Sequence, residues 1–327
     1  MTTILGPTDE QVRTMRQNVM SQIEAAESPS RETVPVRRKS PMRRIAFGVA
    51  ALTAAAAVVA VVVVPSGDDA PAQAADVLRS AADLVIAGSD PVVASDQFLR
   101  IETQASYAIV GQNDDGDRVA WLAPQSTVVY KPADAATEWV MERRQLQPTK
   151  FYGEGAESAA MDDWAISQGD KLTNGVFRGV DGAFYGLPNP ATLTDELPRD
   201  AAALYEYIRD GYVGGSNSID EDSWVRITEL LRTGTAPADL RSALYGAAAM
   251  IPGIEITDDQ ATLNGRTGIA VGRVEESRDE RQDIIVDPAT GEMIGERTVR
   301  TTADFGAPAG AVWAATSVTT TVVDSAP

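Results

Sequence analysis

The sequence contains no cysteine and no histidine. Without cysteine it has no disulfide framework, no zinc ribbon and no thiol nucleophile. Such a composition fits a domain outside the membrane that is large enough not to need staples. Without histidine there is no Ser-His-Asp triad, no imidazole metal site and no histidine general base. Gly-rich phosphate loops and nucleophile elbows are also absent. The chemistry left open is carboxylate or Ser-Lys catalysis and an oxygen-only cation site. Basic residues are scarce as well, with 28 Lys and Arg against 47 Asp and Glu.

That imbalance is unevenly spread. Residues 1–44 hold eight basic and five acidic groups, a net of +3, which leaves 20 basic and 42 acidic groups for residues 45–327, a net of −22. So acidic a segment repels nucleic acid, whose binding needs clustered Lys and Arg. Hydrophobic residues make up 44% of the chain, and its six Phe and five Trp exclude wholesale disorder.

One long apolar run is present. Ile45 to Val64 is twenty residues without a charge, with Thr53 as its only polar side chain. As a helix it spans ~30 Å, the thickness of a bilayer's hydrocarbon core. Arg37, Arg38, Lys39, Arg43 and Arg44 precede it, whereas Asp68 and Asp69 follow and no basic residue comes before Arg79. The Lys/Arg bias orients the N-terminus inside and the C-terminus outside. A soluble core helix rarely stays apolar on every face for five turns. A signal peptide is the rival reading, because Ala70-Pro71-Ala72 and Ala72-Gln73-Ala74 resemble cleavage sites. The 44 residues before the run are too many for an n-region, so we expect an uncleaved anchor in the plasma membrane, bounded by Ile45 and Val64.

The expected organisation is a cytoplasmic tail (1–44), the span (45–64), a linker (65–74) and an outer domain (75–327). In the tail, Thr8 to Gln11 has the form of a capping box, and Val12, Met15, Val19 and Ile23 then make one narrow apolar stripe. Two readings stand: a docking helix for a cytoplasmic regulatory protein, or a marginal segment that rests on membrane lipid as a helix or is simply disordered. Residues 28–41 read as a basic linker suited to anionic lipid.

In the outer domain the pattern predicts an amphipathic helix over 75–85. A half-buried strand follows, with Leu99, Ile101, Thr103, Ala105, Tyr107 and Ile109 on one face and Arg100, Glu102, Gln104 and Ser106 between them. Further strands are expected at 118–123, 126–131 and 138–144. Residues 150–195 give no clear pattern. Helices are expected at 199–209, 220–232 and 237–250, and strands at 253–257, 267–274, 283–286, 292–300 and 311–323. Strands, a helical insert and strands again imply an α+β domain with a curved antiparallel sheet and packed helices.

The ordered series Ala75-Asp76-Val77-Leu78, Phe98-Leu99-Arg100-Ile101, Leu197-Pro198-Arg199-Asp200, Leu240 to Tyr245, Ile251-Pro252-Gly253-Ile254 and Ile285 to Gly291 resembles an uncharacterised family of actinobacterial single-pass membrane proteins. Members are often encoded beside extracytoplasmic-function sigma factors, so the resemblance implies a sensor or regulator in such a system. By architecture the domain also looks like the lipoprotein-carrier and sigma-regulator sensor domains of bacterial envelopes, which implies a tethered lipid- or lipoprotein-binding domain as the alternative.

Each candidate site also has an ordinary structural role. Asn113 to Asp117 has oxygen ligands for Ca²⁺ but lacks EF-hand spacing, and such residues suit a hairpin tip. Asp162-Asp163, Asp220-Glu221-Asp222 and Asp258-Asp259 could pair carboxylates as glycosidases do. Helix N-termini and strand ends account for the last two of these. Tyr107, Trp121, Tyr130, Trp139 and Met141 could line a pocket for a hydrophobic ligand, or could simply fill the core. The expectation is no enzyme, no cofactor, no metal and no catalytic residue.

Overall fold

The computed structural model describes residues 70–88, 90–170, 173–184 and 194–327. The expected span Ile45–Val64 and the tail stripe from Val12 to Ile23 lie outside these residues. Among the described residues no helix is long and apolar enough to cross a membrane.

The period-two segments assemble into one large, curved antiparallel sheet. Its strands are β1 (Phe98–Gln112), β2 (Arg118–Pro132), β3 (Glu138–Gln145), β4 (Lys150–Tyr152), β5 (Gly175–Val180), β6 (Ile254–Leu263), β7 (Arg266–Glu275), β8 (Glu280–Val286), β9 (Met293–Arg300) and β10 (Val312–Val323). The spatial order is β5-β3-β2-β1-β10-β9-β8-β7-β6, with β4 paired to β2 beyond the end of β3. Two meanders therefore meet at the centre, where β1 pairs β10 from Phe98–Val323 to Tyr107–Ala314. Five described helices complete the α+β fold: α1 (Ala70–Gly88), α2 (Ala156–Ser167), α3 (Ala201–Asp210), α4 (Ile219–Arg232) and α5 (Ala238–Ala248).

Several elements depart from the sequence-based expectation. The segment 65–74 was expected to be linker, but α1 begins at Ala70, and Ala74 is fully buried. Pro71 causes no break, because a proline in the first turn has no intrahelical hydrogen bond to lose. The strands expected at 118–123 and 126–131 are one strand, β2, running through Pro124. This proline sits where the neighbouring chain passes from β3 to β4, and its carbonyl accepts from Leu146 N at 2.8 Å. A missing donor costs least at such a junction. Asp258-Asp259, expected at a strand end, lie within β6, where two register shifts accommodate them.

The helices cover one face of the sheet. The faces of α1, α3, α4 and α5 that carry Leu78, Leu204, Trp224, Ile227 and Leu244 pack on Ile254, Ile256, Val271, Ile284 and Val286. At the other meander, α2 lays Ala156 and Ala160 on Val119, Trp121 and Ala123 of β2. None of the described helices lies on the opposite face. There the turn after β9 places Ala307 and Ala311 on Ala120, Leu122 and Tyr152. Helix ends are capped locally: Asp200 Oδ1 accepts from Ala203 N at 2.9 Å and Ser218 Oγ from Glu221 N at 3.0 Å.

Candidate functional site

Side chains directly opposite in an antiparallel pair share a face. The even positions of β1, read as the polar side of a half-buried strand, therefore continue across the sheet. Gln104 stands opposite Ser126, which stands opposite Arg144. Glu102 likewise stands opposite Val128, then Glu142, then Val176. These residues lie on the face that the helices leave open. With Arg100, Arg143, Leu146, Asn174 and Gly175 they line a groove of about 520 Å³.

The groove's polar groups are ordered by one another. Arg100 Nη1 donates to Glu102 Oε2 at 2.8 Å, and Gln104 Nε2 donates at 2.9 Å both to Glu102 Oε1 and to Ser126 Oγ. The hydrogen bonds from Gln104 and then Arg100 hold the Glu102 carboxyl below the usual carboxylate range. Tyr130 donates to Glu142 Oε2 at 3.3 Å, whereas Arg143, opposite Thr127, turns to the other face and donates Nη2 to Gln125 Oε1 at 3.1 Å. Asn174 Oδ1 accepts from Gln145 N at 2.8 Å, which pins the far wall to the end of β3. On the open face the guanidinium groups of Arg100 and Arg144 balance the carboxylates of Glu102 and Glu142, against a net −22 for residues 45–327.

Two smaller spaces lie on the helix side. A cleft of about 150 Å³ between α4 and the sheet holds an Arg232–Glu296 ion pair, beside Tyr107, whose hydroxyl is 3.3 Å from Thr316 Oγ1. Asp283 also borders this cleft, but it is opposite Arg297 whereas Glu296 is opposite Ile284, so the two carboxylates point to opposite faces. They do not form the facing pair that glycoside hydrolysis requires. A groove of about 340 Å³ between α1 and β6–β8 is walled by Val77, Ala81, Leu84, Ile256, Ile269 and Val286.

Burial pushes the Glu296 carboxyl up from its ordinary 4.5, while the Arg232 guanidinium pulls it partly back. A raised carboxyl holds its proton more tightly in the folded state. Its contribution to stability is therefore full below pH 4.5 and is lost as pH rises through the raised value. We expect the stability of the native protein relative to Glu296→Gln to fall as pH is raised from 4.5 toward neutrality. Urea midpoints of both proteins across that range measure it, and a constant difference would refute it.

The carboxylate runs singled out in the sequence serve local structure. Asp220, Glu221 and Asp222 form the first turn of α4, where Asp220 pairs with Arg209 and Asp222 with Arg226. Glu221 Oε1 meets Arg278 Nε at 2.5 Å, and its Oε2 accepts from Asn217 N at 2.6 Å. Asp258 pairs with Arg297 at 3.2 Å. Asp162 and Asp163 lie on α2. Asn113 Oδ1 accepts from the backbone N of Asp115 and Asp117 at 3.1 and 2.8 Å, as a hairpin tip requires. Among the described residues no group of three or more acids is placed to hold a metal ion.

The five residues expected to share an apolar pocket are not brought together. Tyr107 borders the small cleft, and Trp121 is covered by α2. Trp139 is 1% exposed with its Nε1 donating to Ala135 O at 2.8 Å. Met141 is buried opposite Val129, while Tyr130 points to the helix-free face with Glu142. The groove was missed because its residues come from four strands and look, one strand at a time, like an ordinary solvated face. The alternation of Arg100, Glu102 and Gln104 was the available signal.

An α+β fold with a curved antiparallel sheet, one helix-covered face and one open polar groove is the class that this geometry defines. Compared with known proteins, the chain matches no family model and has no significant match among curated proteins.

Proposed function

We propose that the chain is a non-catalytic sensor or regulator anchored in the membrane by Ile45–Val64. Its domain outside the membrane binds a partner or ligand in the groove of the helix-free face. The observation that carries this reading is the groove itself: about 520 Å³, walled by side chains already held in place by hydrogen bonds. Such preorganisation favours binding because little side-chain freedom is left to lose. The basic tail with its Val12, Met15, Val19 and Ile23 stripe would carry the signal to a cytoplasmic regulatory protein, of which a co-encoded sigma factor is the candidate.

Alkaline extraction of membranes, followed by protease treatment of intact spheroplasts, tests the arrangement. The chain should stay with the membrane, and external protease should remove the outer domain while sparing a fragment of the tail. Release of the whole chain by alkali would refute the anchor. Failure of a tail peptide to bind any co-encoded sigma factor would refute the regulatory link.

The apolar groove beside α1 favours a second reading, a tethered lipid- or lipoprotein-binding domain. Native mass spectrometry should then show a copurifying apolar ligand, and a ligand-free protein would count against it.

A further inference from the structure

We propose that the apolar groove beside α1 holds one acyl chain of a membrane lipid, drawn from the outer leaflet beside the anchor, whose headgroup bears no net negative charge. This names the ligand of the lipid-binding reading given above and rests on that reading.

Val77, Ala81 and Leu84 recur four and three residues apart, so they share one face of α1. This face lies beside the stripe of Leu78, Ala82 and Val85 that enters the core. Across the groove stand Ile256, Ile269 and Val286, one each from β6, β7 and β8. Val77, Leu84 and Ile269 are only half-buried there. The turn from Asp287 to Gly291 presses against α1, since a Cβ on Gly291 would lie 2.5 Å from Ala81 O and 2.9 Å from Leu84 Cβ. From Gln73 to Leu84 the groove follows α1 for ~16 Å, close to the ~15 Å that one leaflet contributes to the hydrocarbon core. Its volume of about 340 Å³ lies within the ~300–1,000 Å³ usual for a small-ligand site.

Chain length selects the occupant. Five residues, 65–69, separate the end of the expected span at Val64 from the first residue of α1. Fully extended they reach at most ~18 Å. Gln73 follows within one helical turn, so that end of the groove stays within roughly 25 Å of the bilayer surface. Membrane lipid is therefore the apolar ligand at hand. A peptide laid between these apolar walls would strand its backbone amides, whereas an acyl chain has none. Charge selects the headgroup. Among the described residues no Lys or Arg lines the groove, while Asp76 and Asp287 do. The arginines nearest those acids, Arg79 and Arg266, are already paired with them. An anionic headgroup would find no free cation there and would meet the repulsion of a segment with a net charge of −22.

Photocrosslinking of the full chain in phosphatidylcholine vesicles tests the assignment. The probes are phosphatidylcholine and phosphatidylglycerol with a diazirine on one acyl chain, and mass spectrometry of the digested chain maps the label. Phosphatidylcholine should label the apolar span and, in addition, α1 between Val77 and Leu84 or the facing Ile269 and Val286. Phosphatidylglycerol should label the span equally and the groove at least about 3-fold less. Leu84→Trp and Ser80→Trp, the second at an exposed position, each fill the groove. Both should cut groove labelling by about 10-fold, the loss expected when an added ring overfills the space, and spare the span. Ile86→Trp, on α1 but exposed and outside the groove, should change neither. Label on the span alone, equal groove labelling by the two probes, or groove labelling untouched by both filling variants would each overturn the proposal. Label elsewhere on the outer domain would overturn this site and leave the lipid-binding reading standing. Absence of label even from the span would refute the anchor as well.

Discussion

Replacing Asp283 with alanine is expected to cost about 3–5 kcal/mol of stability, the usual result of stripping one partner from a buried ion pair. The Asp283 side chain is wholly inaccessible. Arg281 grips it with Nε to Oδ1 at 2.8 Å and Nη2 to Oδ2 at 3.0 Å, and Arg297 Nε adds a third bond to Oδ2 at 2.8 Å. Arg297 also reaches Asp258 on β6, so the network ties three strands on the helix-free face. Gly272 makes room for it, since a Cβ there would lie 2.1 Å from Asp283 Oδ1. Alanine would leave two guanidinium groups facing each other with their shared acceptor gone. The exposed Arg79–Asp76 pair, by contrast, is worth a few tenths of a kcal/mol, so Asp76→Ala should be nearly silent. Urea unfolding of both variants makes the comparison, and equal midpoints would show that the Asp283 network contributes nothing special.

Trp224→Ala is expected to cost a similar ~3–5 kcal/mol by a different mechanism, the cavity left when a large side chain is removed from a filled core. Trp224 is 1% exposed and belongs to the cluster that joins α1, α3, α4 and α5 to the sheet. It sits on α4, eight residues before Arg232, so loosening the helix should also loosen the Arg232–Glu296 pair. Loss of stability should therefore come with a weaker pH dependence above pH 4.5. Thermal unfolding at two pH values measures both. A destabilised variant that keeps the full pH dependence would show that α4 does not control the pair.

Much of the fold was legible because its signals are local. Asn264-Gly265 has φ values of 49° and 78°, the left-handed pair that a two-residue hairpin between β6 and β7 demands. Ser218 caps α4 and is followed by three acids in the first turn, so that helix begins within a residue of its expected start. The alternating β1 was read correctly as a long strand because its period of two holds over the whole segment. Where signals were weak or mixed, the reading failed. Residues 150–195 carry β4, α2 and β5, short elements whose stability comes from packing on β2 and β3 rather than from their own pattern.

By itself the sequence determined which chemistry is closed to the protein, the α+β class, the turns and most helix ends. It also set the expectation of an oriented apolar span. These follow from residue type and from spacings within one segment. Only the tertiary structure decided that the two meanders join through β1 and β10, and that Asp283 and Glu296 face apart. It also decided that Gln104, Ser126 and Arg144 line one groove while the expected aromatic pocket is dispersed. Such groupings depend on register and on which face each strand turns toward the helices. A shift of one residue would reverse every one of them.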